Sequence, residues 1–260
     1  MIDFKKYIPY GVSAIILLIA SFYDYQITDY LYQTMPFTGM LFERFMLLPV
    51  WSLVLITFII LAIVKEKKYY HILALLTAFY IVYDVLHYWL PFDTSMQVLM
   101  LVVIALSYWL ILWLLLLRIE KDCLANRLPF LTFFVSVFLT SIWISVVMKT
   151  CWGRIRYREL LSASQFVPWY MPCGITGHYS FPSGHTTMFT SIICLLEYKN
   201  YQFEEVSLTK KCLLWAFIII MPITRMVMGA HFLSDTVVGF MITYSCYLGY
   251  RHNYRKRGLL

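Results

Sequence analysis

Two histidines, a serine, an aspartate and several cations gather in three short stretches of an otherwise apolar chain of 260 residues. The first reads Lys149-Thr-Cys-Trp-Gly-Arg154-Ile-Arg156-Tyr157-Arg158. The second reads Phe181-Pro182-Ser183-Gly184-His185-Thr186-Thr187. The third reads Thr224-Arg225-Met-Val-Met-Gly229-Ala230-His231-Phe-Leu-Ser234-Asp235. Lys149, Arg156 and Arg225 would supply the positive charge that a phosphoryl group needs as it transfers, and arginine can bind two of its oxygens at once. Ser183 is placed to cap a helix whose free N–H groups and positive dipole end make an anion site, and Gly184 lets backbone approach the ligand without a Cβ. His231 and Asp235 are four apart and share a face where the turn is helical. A carboxylate accepting from one imidazole nitrogen would fix the tautomer and leave the other nitrogen free as a nucleophile. His185 would then protonate the departing oxygen and later activate water.

Such residues need a scaffold, and the scaffold is apolar. Hydrophobic residues make up 61% of the chain and charged residues 13%, against roughly 45–50% and about 25% in a soluble domain. Eight apolar blocks follow one another, bounded by charge, Pro or Gly. They are residues 8–22, 45–64, 69–90, 96–117, 128–148, 186–198, 212–230 and 233–250. Spanning the hydrocarbon core takes about 20 residues, so the short first and sixth blocks should continue into their polar flanks. The expectation is an all-α, polytopic transmembrane bundle of about eight helices. It forms a single integral membrane domain over residues 1–260, with the chemistry confined to 149–235. The two lysines and apolar run at the N-terminus mimic a signal peptide. No small-residue cleavage site is evident, and the run reads as a retained first helix.

The net charge of +7 is better explained by membrane orientation than by nucleic acid. With a cytoplasmic N-terminus and eight crossings, fifteen of the twenty-one Lys and Arg residues fall on the inner side. These are Lys5, Lys6, Lys65, Lys67, Lys68, Arg118, Lys121, Arg127, Lys199, Lys210, Lys211, Arg251, Arg255, Lys256 and Arg257. Of the other six, Lys149, Arg154, Arg156, Arg158 and Arg225 belong to the three stretches above, which leaves Arg44 alone outside. The positive-inside rule is obeyed, both termini are cytoplasmic, and all three stretches converge on the outer face.

Other polar residues invite plainer readings. Arg154 and Arg158 would bind a lipid headgroup or anchor the surface. Asp84 and His87 read as an interfacial polar pair, and His178 and Tyr179 as loop residues before the second stretch. Trp89, Trp152 and Trp169 read as an aromatic belt, and the basic tail from Arg251 to Arg257 as an inner-leaflet anchor. The six cysteines lack zinc spacing. Cys194, Cys212 and Cys246 are packing residues, while Cys151 and Cys173 would pair only if their loop faces an oxidising space.

The three stretches resemble the signature motifs of the type-2 phosphatidic acid phosphatase (PAP2) family, which reaches to glucose-6-phosphatase and vanadium haloperoxidases. Lys149 and Arg156 match its first motif, Pro182 to His185 its second, and Arg225, His231 and Asp235 its third. The resemblance implies a phosphohistidine at His231, general acid work by His185, and phosphate binding by Lys149, Arg156, Ser183, Gly184 and Arg225, with no metal or other cofactor. Tyr157 stands where the family usually has Pro, and Thr224 where it usually has Ser. The family bundle usually has six helices, so two of the eight lie beyond it. The resulting expectation is a bacterial plasma-membrane phosphatase acting on a lipid phosphate, with no nucleic acid or obligate protein partner. Its substrate would be undecaprenyl diphosphate, phosphatidylglycerophosphate, phosphatidate or a lipid A phosphate. A phosphotransferase using the same phosphohistidine, and a non-catalytic lipid-binding relative, are the competing readings.

Overall fold

The computed structural model describes residues 4–34, 45–87, 95–198 and 206–259. Arg44, Trp89 and Lys199 lie outside the described residues. Among those described there are eight α-helices and no strands. They are α1 (Ile8–Thr34), α2 (Leu48–Lys65), α3 (Lys68–Leu86), α4 (Ser95–Leu116), α5 (Lys121–Trp152), α6 (Gly184–Thr190), α7 (Leu208–Val227) and α8 (Leu233–Lys256). The first five, α1 to α5, are long and apolar enough to cross a membrane. The expected all-α architecture of about eight helices is what the described residues form.

The boundaries moved where polar residues turn inward. The first apolar block ends at Phe22, yet α1 continues for another three turns to Thr34. Its buried residues are Ser13, Ala20, Asp24 and Thr28, while Ile15, Leu18 and Phe22 face outward. This is a helix whose small and polar stripe packs against protein and whose large apolar side chains face lipid. The sixth block behaves differently. After the seven residues of α6 the chain tightens into a 3₁₀ helix over Ser191–Glu197, whose greater rise carries these fourteen residues about 25 Å. α6, α7 and α8 do not meet the measure of length and apolarity that the first five meet. α7 and α8 carry Thr224, Arg225, Ser234, Asp235, Thr236 and Thr243, all buried.

The chain divides into two compact units. One comprises residues 1–43 and 137–250, the other 44–136 and 251–260, and the division falls within α5. In the second unit, Leu55 and Ile59 of α2 pack on Ala74, Ala78 and Ile81 of α3, with Trp109 and Trp113 of α4 alongside. Ile60 meets Leu124, Leu128 and Leu131 of α5. In the first unit polar bonds join the helices. Tyr10 bonds Ser245 at 2.7 Å, the Tyr244 hydroxyl donates to the Lys6 carbonyl at 2.8 Å, and Thr243 donates to the Thr187 carbonyl at 2.7 Å. Gly239 permits a close approach: a Cβ there would lie 2.7 Å from the Ser183 carbonyl oxygen. α8 therefore seats the start of α6 directly on its own backbone.

Candidate active site

All eight residues singled out by their types and spacing lie in the first unit. α5 carries Lys149 on its last turn, the loop after it carries Arg156, and α6 begins at Ser183-Gly184-His185. α7 ends on Arg225, and the turn into α8 carries His231 and Asp235.

Ser183 caps α6. Its Oγ accepts the Thr186 N–H at 3.4 Å and the Thr186 hydroxyl at 2.9 Å, and its carbonyl accepts the Thr187 N–H. Its own N–H is committed to the Asp235 carbonyl at 2.9 Å. The backbone donors left to an anion at this helix end are those of Gly184 and His185, the first two helical positions. Lys149 lies over Gly184, where a Cβ would sit 3.3 Å from its Cε, and its Nζ donates to the Tyr179 carbonyl at 2.6 Å. The charges of Arg225, Lys149 and Arg156 all bear on His185, as does His231. Arg156 is steadied by Glu159 at 3.3 Å, and Glu159 also meets His178 at 3.3 Å. His178 thus holds the carboxylate that holds Arg156, beyond turning the chain.

His231 is 3% exposed, and its ring is fixed in a way the residue types did not announce. The Nδ1 atom lies 2.6 Å from the backbone carbonyl oxygen of Ser180 and 3.7 Å from Oδ2 of Asp235. A carbonyl oxygen can only accept, so Nδ1 carries the proton and Nε2 keeps its lone pair. Burial, reinforced by the charges of Lys149 and Arg225 and opposed by Asp235, pushes the imidazolium pKa down to about 3, and the ring is neutral. His231 itself precedes α8 and is not helical. Asp235 reaches it by folding back over the helix start, where Oδ2 accepts the Phe232 N–H at 2.9 Å and the Ser180 hydroxyl at 2.5 Å. A neutral imidazole so oriented, with the charges of Lys149 and Arg225 bearing on it, can attack an anionic electrophile.

Arg154 corrects the reading of that residue as a headgroup ligand or surface anchor. It has no exposed surface. Its Nη1 meets Asp235 Oδ1 at 2.6 Å and the Ser234 hydroxyl at 2.8 Å, and its Nη2 meets Asp24 Oδ2 at 2.9 Å. The guanidinium face covers the Phe232 ring at 4.2 Å. Asp24 went unremarked because it lies just past the first apolar block, although an ionisable residue in such a helix is itself a signal. The role of Ser180 rests on a backbone carbonyl, which no side-chain pattern announces.

The two departures from the motif have local accounts. The Tyr157 hydroxyl donates to Asp29 of α1, and its ring packs on Tyr25 and Tyr32. Thr224 is buried and bonds back to the Met221 carbonyl of its own helix at 2.8 Å. Trp152 and Trp169 pin the loop: the first donates to the Trp169 carbonyl and stacks on Phe181, and the second donates to Ser21 of α1. Cys151 and Cys173 are exposed and unbridged. Asp84 and His87 belong to the second unit, where the His87 ring stacks on Tyr83.

Comparison with curated proteins and with solved structures returned no match to the chain. A family profile does match: that of the PAP2 superfamily, over residues 129–259. The matched segment is half of the chain and includes all three motifs. The chain therefore belongs to the PAP2 superfamily, whose activity is of the phosphatase type on phosphate esters, and it is a membrane protein by its five long apolar helices.

Proposed function

We propose that this protein is a lipid phosphate phosphatase working at the extracytoplasmic face of a bacterial plasma membrane through a phosphohistidine. The observation that carries the reading is the 2.6 Å contact from Nδ1 of His231 to the Ser180 carbonyl, which leaves Nε2 as a free nucleophile, with the charges of Lys149 and Arg225 bearing on it and that of Arg156 on His185. In the first step the Nε2 lone pair attacks phosphorus and the ester P–O bond breaks. The departing oxygen takes a proton from the His185 imidazolium, which forms when the anionic substrate offsets the cations bearing on that ring. The three cations with the N–H groups of Gly184 and His185 bind the phosphoryl oxygens. In the second step His185 removes a proton from water, the hydroxide attacks phosphorus, and the P–N bond breaks to release phosphate and restore His231.

The membrane setting and the allocation of basic residues support a lipid substrate met on the outer face. An undecaprenyl diphosphate or a broad range of lipid phosphates suits that face best. The test is phosphate release by the purified full chain across undecaprenyl diphosphate, phosphatidylglycerophosphate, phosphatidate and a lipid A phosphate, without added acceptor. Turnover of at least one, inhibited by vanadate, is the expected result. Phosphate release that appears only when a second lipid is supplied as acceptor would make the enzyme a phosphotransferase, and no release under either condition would remove the catalytic reading.

A further inference from the structure

The ion pair between Arg154 and Asp24 has no task in the steps above, yet it is the most deeply buried charge cluster described in the first unit. Arg154 cannot reach a substrate, since it has no exposed surface. Besides its bonds to Asp24, Ser234 and Asp235, its Nε donates to the Val167 carbonyl at 2.9 Å. Asp24 is 2% exposed and acts only as an acceptor. Oδ1 takes the Ser234 N–H at 2.9 Å, and Oδ2 takes the Ser234 hydroxyl and Nη2 of Arg154. Three donors, one of them a guanidinium, stabilise the ionised form of this carboxylate. One helix, α1, thus grips both the loop after α5 and the first turn of α8, where Asp235 adjoins Ser234.

The charges in this cluster explain why a second carboxylate is needed. Arg154 alone would neutralise Asp235, leaving nothing negative beside His231. With Asp24 also on Arg154 the cluster sums to one negative charge. That charge matters when Nε2 is phosphorylated, because an imidazole carrying a proton on Nδ1 and phosphorus on Nε2 is a cation, formed in a buried place where an unpaired cation is costly.

We propose that Asp24 is a positioning residue for the reaction: by sharing Arg154 with Asp235 it keeps this cluster negative beside His231 and fixes the turn that carries both. This rests on the phosphohistidine reading. Asp24 touches no phosphoryl oxygen, so its removal should spare binding of the ground state and weaken that of the transition state.

The test compares wild-type full chain with Asp24→Asn, which keeps shape and loses charge, using dioctanoyl phosphatidate as substrate and inorganic phosphate and orthovanadate as inhibitors. The expected result is a kcat lower by roughly 30- to 300-fold. KM and the phosphate inhibition constant should stay within about twofold, and the vanadate constant should rise by a factor similar to the fall in kcat. A purely structural role would lower kcat by reducing the folded fraction and leave the vanadate constant unmoved. That result, or a kcat within about threefold of wild type, overturns the proposal. Where Asp24→Asn does not fold, Ser234→Ala removes one hydroxyl from the same cluster. It should lower kcat about three- to tenfold with a matching rise in the vanadate constant, and an unmoved constant again overturns it. His231→Ala is run in parallel. Its residual turnover would sink the phosphohistidine reading itself, whereas an inactive His231→Ala beside a fully active Asp24→Asn sinks only the role of Asp24.

Discussion

The two units of this chain are both helical and hold themselves together by different means. In the second unit the buried polar side chains, among the described residues, are Thr57 and Thr77. Each hydroxyl simply bonds the carbonyl one turn back in its own helix, Leu53 and Leu73 respectively. The core there is Leu, Ile and Ala against tryptophan and tyrosine rings. In the first unit Asp24, Arg154, Glu197, Arg225, His231 and Asp235 are all buried. Their bonds run between segments far apart in sequence, such as Arg154 to Asp24 or Tyr247 to Glu197. In lipid, where apolar contact between helices has little advantage over contact with acyl chains, polar bonds between helices add specificity of position. The unit that carries the candidate site is the one with such bonds.

This contrast is open to direct attack, and the largest effect should come from its centre. His231→Ala is expected to abolish turnover, by at least about 10³-fold, while the purified protein stays monodisperse and keeps its helical circular dichroism. Substantial residual phosphate release would place the nucleophile elsewhere. Arg154→Met comes next: it strands two carboxylates in the interior and should cost about 3–5 kcal/mol of stability. Thermal unfolding in detergent should register this as a large drop, and a wild-type melting temperature would show that the cluster carries no structural weight. Gly239→Ala is smaller. Its Cβ would press within 2.7 Å of the Ser183 carbonyl and should destabilise by about 1–3 kcal/mol, with lower kcat as α6 shifts off α8. Least of all, Thr57→Val or Thr77→Val in the second unit should change stability by no more than about 0.5 kcal/mol and leave phosphate release unaltered. A large loss there would erase the distinction between the units.

Legibility followed the same division. The long apolar runs of α2 to α4 and the motif residues from Lys149 to Asp235 were readable, because hydropathy and residue type are local properties of a sequence. The helix ends were less so. α1 runs to Thr34 because Asp24 and Thr28 are buried against protein, and a hydropathy count registers both as the end of an apolar block. Arg154 illustrates the limit most sharply. Two residues from Arg156 and of the same type, it has the opposite fate, fully buried and paired where Arg156 is half-buried and held by Glu159.

What the sequence by itself determined was the class of the protein and its chemical inventory: helices in a membrane, two histidines, an aspartate and a set of cations in family order. Those follow from composition and spacing, which fold-level packing cannot alter. Only the tertiary structure decided how the parts address one another. It put a backbone carbonyl, 2.6 Å from Nδ1, as the nearer partner of His231, with the carboxylate at 3.7 Å. It also brought Asp24 across 130 residues of chain to Arg154. The physical reason is that charge and hydrogen-bond capacity are written in each side chain, whereas the partner that satisfies them in a medium without water is whichever group the packing of helices brings within reach.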